Sequence, residues 1–162
     1  MNDPGPPGHA VPLGRRVVFT GRALRELTNA TLERHGADIN TWIVLNQAQQ
    51  HDSGLAFSQR QLAEGLQMSG PALVRHLDRL EADGLLRRQR DEHDRRVTRI
   101  TLTPRGRRLH GRLRGVMAVH DADVRSCLTA SELRTVERAL DKLHAYATRA
   151  LPELSERDEA GT

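Results

Sequence analysis

Between residues 69 and 104 the chain carries a helix start, a helix stop, a chain reversal and a second helix start in one unbroken run. "SGPALVRHLDRLEADG" opens it. Ser69 can cap a free N–H of the first helical turn, and Pro71 falls in that turn, where a missing N–H costs nothing. Leu73, Leu77 and Leu80 recur at helical spacing as one buried stripe. That stripe leaves Arg75, His76, Asp78 and Arg79 on the open face. Gly84 supplies the left-handed backbone that ends a helix. "LLRRQ" and "VTRITLT" follow as two short strands, the second rich in β-branched residues, with Ile100 and Leu102 on one face. "RDEHDRR" at 90–96 is the tip between them. Thr103 and Pro104 are an N-cap and a first-turn proline, so a further helix begins at once.

Just upstream, "SQRQLAEGL" predicts a short helix. Ser58 and Gln61 fit a capping box, in which each side chain satisfies a free backbone N–H of the first turn. Leu62, Ala63 and Leu66 face inward, and "QMSGP" is a tight connection. Two helices joined this way match a helix-turn-helix whose second member reads a major groove from its N-terminal half. Arg75 is the candidate base contact, because guanidinium reaches guanine O6 and N7 in bidentate fashion. Ser58 and Ser69 suit phosphates, since free N–H groups and the helix dipole favour anions at helix N-termini. Gly70, Pro71 and Ala72 share the first turn of the second helix. With His76 and Arg79 they complete its expected DNA-contacting set.

The hairpin tip explains the distribution of charge. Lys142 is the only lysine, so 24 of the 25 basic residues are arginine, and 11 of these fall between Arg87 and Arg114. Such a concentration repels itself unless a polyanion compensates it. A β-ribbon beside a helix-turn-helix makes a winged helix. With the helix in a major groove, the tip reaches the adjacent minor groove, which is narrow and strongly negative. Arg90, Arg95 and Arg96 are the expected contacts there. Asp94 is expected to pair with Arg96 and fix its direction.

The remaining helices are read from apolar spacing at 13–34, 38–50, 104–127 and 130–150. Asp38 is a plausible N-cap, Thr129 and Glu132 repeat the capping box, and Pro152 is expected to stop the last helix. Residues 1–12 and 152–162 read as flexible tails. At 162 residues and 2% aromatics the chain suits one domain with a core of Leu, Val, Ile and Ala. No run approaches the ~20 apolar residues of a membrane span. "MNDPGPPGHAVP" has no apolar signal core, so a cytoplasmic location is expected. One cysteine, Cys127, permits no internal disulfide and reads as inert.

The order of elements resembles that of the MarR family of bacterial transcription regulators. The run "PALVRHLDRLEADGLLRRQRDEHDRRVTRITLTPRG" is most similar to its SlyA branch. The resemblance is densest over 58–106, extends to "TWIVL" at 41–45, and is architectural elsewhere. It implies a recognition helix at 69–83 with Arg75 reading bases. The family's Asp-x-Arg wing motif then falls on Asp94 and Arg96. It also implies an obligate homodimer built from the N- and C-terminal helices, and members often bind small aromatic acids between those helices and the DNA-binding lobe. Arg25, Asn40, Trp42 and His76 occupy the corresponding region, with Arg25 suited to a carboxylate and Trp42 to a ring.

The expected fold is therefore mainly α, a winged helix-turn-helix at 38–103 with a short β-hairpin wing. A helical dimerisation region spans 13–37 and 104–151. The expected function is a homodimeric DNA-binding regulator, a repressor on a palindromic operator, relieved by a small aromatic acid. No cofactor is expected. The competing readings are a ligand-independent or nucleoid-type architectural DNA binder, and a metal-responsive regulator of the same fold. Eight histidines invite the last, but none shows metal-ligand spacing. No Gly-rich phosphate loop, nucleophile elbow or carboxylate pair suggests an enzyme.

Overall fold

The computed structural model describes residues 11–50, 56–90 and 97–160. The helices are α1 (Leu13–Glu33), α2 (Ile39–Gln50), α3 (Gln59–Leu66), α4 (Gly70–Ala82), α5 (Pro104–Ser126) and α6 (Ala130–Ala160). The strands are β1 (Ala56–Ser58), β2 (Leu86–Arg90) and β3 (Val97–Leu102). The fold is that of a winged helix-turn-helix: α3 and α4 joined by a short turn, followed by the β2–β3 hairpin. The chain divides into two compact units, up to Ala118 and from Val119 onward.

Local chemistry sets most of the boundaries in the first unit. Asp38 accepts a hydrogen bond from the Thr41 N–H at 2.6 Å and so starts α2. The Ser69 hydroxyl accepts from the Ala72 N–H at 3.4 Å and starts α4. Helix α4 ends where Gly84, at φ +66°, turns left-handed. The Leu85 N–H then reaches the Leu80 carbonyl and the Gly84 N–H reaches that of Glu81, which satisfies two of the helix's free carbonyls. Helix α3 ends the same way on Gln67, a non-glycine held at φ 53°.

The sheet contains one strand more than the hairpin reading allowed. Its order is β1-β3-β2, with Ala56 opposite Arg99 and Leu86 opposite Leu102. β1 is three residues long, too short for any alternation to register, and its pairing partner lies some forty positions away. Ser58 is its last residue, and α3 begins at the next position, Gln59, where a capping box on Ser58 and Gln61 would start it.

The core is aliphatic. Leu32, Leu45, Leu66, Leu73, Leu80 and Leu113 are all but inaccessible, and Trp42 packs against them while half-buried. The α5 start docks on the corner between α4 and β2. Thr103 donates its hydroxyl to the Gly84 carbonyl at 2.6 Å and accepts from the Gly106 N–H at 3.1 Å. Gly106 is required there, because a Cβ would stand 1.9 Å from the Leu85 carbonyl oxygen.

In the second unit, Thr129 and Glu132 form the reciprocal capping box expected of them. Pro152 does not stop α6, which continues to Ala160. The proline removes one ladder N–H, but the residues after it, "ELSERDEA", are mostly good helix formers. The tail expected from residue 152 is thus helical to Ala160. The tail expected at 1–12 falls outside the described residues as far as residue 10. No helix among the described residues is long and apolar enough to cross a membrane.

Candidate nucleic-acid interface

Helix α4 presents its first turn and one side to solvent. Ser69, Gly70, Pro71 and Arg75 are exposed, and Ala72 is half-buried. Among the described residues the Arg75 guanidinium makes no hydrogen bond or ion pair, so none of them competes with an outside acceptor for it.

Two residues expected on the same face do something else. His76 is 8% exposed and packs inward. It lies three positions after Leu73 and one before Leu77, at the edge of the apolar stripe, so the helix rotates it into the core. This corrects its expected place on the open face. Its Nδ1 sits 3.3 Å from Arg79, and its Nε2 is buried with no hydrogen-bond partner among the described residues. Burial holds its pKa below the ordinary value, and the Arg79 charge adds to this while Asp38 opposes it. Arg79 is engaged too: it donates to the Asp38 carboxylate at 2.9 Å, tying α4 to the start of α2. Burial works to raise the Asp38 carboxyl. Hydrogen bonds from Thr41 and Arg79 and the nearby His76 outweigh it and hold the carboxyl below its usual range.

What fixes α4 relative to the wing is Arg88, a residue that the sequence pattern did not single out. Its backbone N–H donates to Glu81 at 2.9 Å and its guanidinium donates to Glu81 and, at 2.5 Å, to Asp78. The β2 strand is thereby clamped to α4. The Arg88 N–H, then its guanidinium, hold Glu81 below the usual carboxylate range. The spacing 78, 81 and 88 carries a faint signal, two acids on one helical face followed by a strand arginine.

Of the remaining DNA-contact candidates, only the backbone of Ser58 and Arg90 is described, at the ends of β1 and β2. Asp94, Arg95 and Arg96 lie outside the described residues.

The expected ligand set divides. Arg25 donates to the Asn40 side chain at 3.1 Å, and both line a groove of 540 Å³ between α1 and α2. Neither Trp42 nor His76 lines it. Trp42 instead stacks on His110 of α5, ring centroids 5.4 Å apart and nearly parallel. The His110 Nε2 lies 3.2 Å from Asn46 of α2, and burial, then Arg114, hold that histidine's pKa down. Among the described residues no three His, Cys, Asp or Glu side chains converge as metal ligands would.

Comparison with known proteins meets this geometry at the family level. A sequence model of the MarR family matches residues 35–97. A MarR family protein of Mycobacterium tuberculosis, solved with p-aminosalicylic acid, is 32% identical over 83% of this chain and 99% of its own, at a TM-score of 0.65. The chain belongs to the MarR family. The same mycobacterial protein has also been solved with salicylic acid. The transcriptional regulator PA3341 is 30% identical over 85% of this MarR family chain and 99% of its own, at a TM-score of 0.73. The MepR–DNA complex of S. aureus reaches the same TM-score at 22% identity over 85% of this chain and 99% of that one, a likeness of fold. As a MarR family winged helix, this chain is a DNA-binding transcription regulator.

Proposed function

We propose that the chain is a homodimeric repressor that binds a palindromic operator through helix 69–83 in the major groove and wing 90–96 in the adjacent minor groove. The observation that carries the reading is Arg75, exposed and without a partner among the described residues, on a helix that Arg88 clamps to the wing strand. A guanidinium held this way is free to take a guanine edge. Ser58, Ser69 and the first-turn N–H of Gly70 supply phosphate contacts. Arg90, Arg95 and Arg96, with Asp94 orienting Arg96, supply the wing. The dimerisation region is formed by 13–37 and 104–151, and the protein acts in the cytoplasm. The run from 58 to 106 supports membership of the SlyA branch. Repression follows from position: a dimer that covers a promoter blocks polymerase without further machinery.

The test is a comparison of affinities. The DNA upstream of the protein's own gene and random duplex are titrated by fluorescence anisotropy at several salt concentrations. Preference of about 10³-fold or more is expected for a specific regulator. Equal affinity for both duplexes would leave a nucleoid-type DNA coater as the reading.

Release by a small aromatic carboxylate is the second element of the proposal. The mycobacterial relative binds salicylic acid, and the Arg25–Asn40 groove offers a guanidinium and an amide to a carboxylate. Salicylate should release the operator complex at fixed salt, and Arg25→Gln should abolish release while leaving ligand-free DNA binding in place. No shift at millimolar salicylate would remove this element and leave the DNA-binding reading standing.

A further inference from the structure

The first turns of α5 carry three guanidiniums that the fold leaves without partners. Arg105, Arg108 and Arg112 stand at i, i+3 and i+7, one helical face over about 10 Å. All three are exposed, and none makes a hydrogen bond or ion pair among the described residues. Arg22, Arg60, Arg79, Arg88 and Arg125, by contrast, each reach a carboxylate. The three arginines line a cavity of 370 Å³ whose other walls are His35 and Gly36 after α1, Asp83 and Leu85 after α4, and Leu109 of α5 itself. Asp83 is the only acid in those walls, and it pairs with none of them. No acid stands in the first turn of α5, so the helix dipole adds to the positive field.

Three like charges facing one concavity repel one another, and low-dielectric walls concentrate their field. A single carboxylate could meet only one or two of them. Guanidinium matches phosphate in bidentate geometry, and two phosphates some ångströms apart could engage all three. The unpaired Asp83 leaves an acceptor for a ligand hydroxyl. The cavity lies within the ~300–1,000 Å³ range of small-molecule sites. It also lies at the far end of α4 from its DNA-reading turn: the helix has 13 residues, a length of about 20 Å. That position favours a free metabolite over the DNA backbone. We propose that this groove is an effector site for a small bisphosphorylated metabolite, separate from the Arg25–Asn40 groove. Because its walls come from the ends of α1 and α4 and the start of α5, an occupant would bias the position of the recognition helix.

The test uses the whole protein without DNA. Fructose 1,6-bisphosphate serves as the probe and inorganic phosphate as the single-anion comparison, titrated calorimetrically at constant ionic strength. The bisphosphate should bind at least tenfold more tightly than phosphate. A variant with Arg105→Gln, Arg108→Gln and Arg112→Gln should lose that advantage. A control with the same charge removed, Arg16→Gln, Arg134→Gln and Arg149→Gln, should keep it. Equal binding of the two anions, or equal loss in both variants, overturns the proposal. A second arm measures the salt dependence of duplex binding, whose slope should be unchanged in the site variant. A slope reduced by about 0.9 for each lost contact would assign these arginines to DNA phosphates and overturn the metabolite site.

Discussion

Arg75 and His76 are neighbours in sequence and opposites in environment, and the difference decides what each can do. Arg75 is exposed and pairs with none of the described residues, so Arg75→Ala should leave the unfolding free energy within about 0.5 kcal/mol of the parent. Operator affinity should fall by about 1–3 kcal/mol, with relaxed preference at one symmetric pair of base positions. Chemical denaturation and anisotropy on a panel of single-base operator variants read the two effects separately. His76 faces the core, where burial first and Arg79 second keep the ring neutral below the ordinary histidine value of 6.5. The sign follows from proton counting. In the window just below 6.5 the unfolded chain takes up a proton that the folded chain refuses, so stability is full above that window and falls as pH drops through the folded pKa. His110 shifts in the same direction. Asp38 and Glu81, whose pKa values are depressed from 3.8 and 4.5, act only in a more acidic window. Thermal melts between about pH 7 and pH 5 should therefore show declining stability. His76→Leu should flatten part of the decline, leaving the part due to His110. An unchanged slope would mean that His76 titrates as if exposed.

At the scale of elements, the wing is positioned by contacts at its base. Glu81→Ala deprives the Arg88 N–H and guanidinium of their main acceptor and leaves Asp78 as the single acid. Glu81 and Arg88 are both partly exposed, so the cost to folding should be modest, about 1–2 kcal/mol. DNA affinity should fall by more than that stability change explains, because the wing loses its register against α4. Denaturation and anisotropy on the same preparation check this, and a loss confined to stability would argue against a positioning role. Glu81 also shows what a sequence can conceal. Ser69, Asp38, Gly84 and Thr103 were legible because a cap acts within three or four residues and leaves a fixed spacing. Arg88 was not, since its partners sit on a different element and nothing local distinguishes it from the ten other arginines between 87 and 114. β1 failed to register for the same reason, being three residues whose pairing is wholly non-local. His76 was misread because it stands at the margin of a stripe, where a small rotation of the helix decides between core and solvent. Pro152 was misread because a proline costs a helix about 3 kcal/mol without forbidding it.

At the scale of the whole molecule, apolar surface and DNA geometry make linked demands. Leu24 and Leu27 are neighbours on one face of α1, exposed at 42% and 52%, and Val136 and Leu140 on one face of α6, at 39% and 49%. Faces of this kind mark interaction surfaces, and the proposed homodimer is what would cover them. The double variant Leu24→Glu, Leu27→Glu tests this. Fully burying a leucine is worth about 1.5–3 kcal/mol, and a symmetric interface contains each residue twice. Even at half that value the substitution removes about 3 kcal/mol, before the penalty for burying carboxylates, so dissociation should strengthen by at least about a hundredfold. Light scattering at micromolar concentration should then give monomer for the variant and dimer for the parent. The DNA consequence is sharper still. Two recognition helices joined rigidly require half-sites about one helical turn apart. Inserting about 5 bp, half a turn, between the half-sites should weaken the parent severely, since the second half-site then faces away. The monomeric variant should bind an intact operator only as well as a single half-site and be indifferent to the insertion. A parent that tolerates the insertion would show that its two reading helices are not rigidly coupled, and a variant that still feels it would show that α1 is not what couples them.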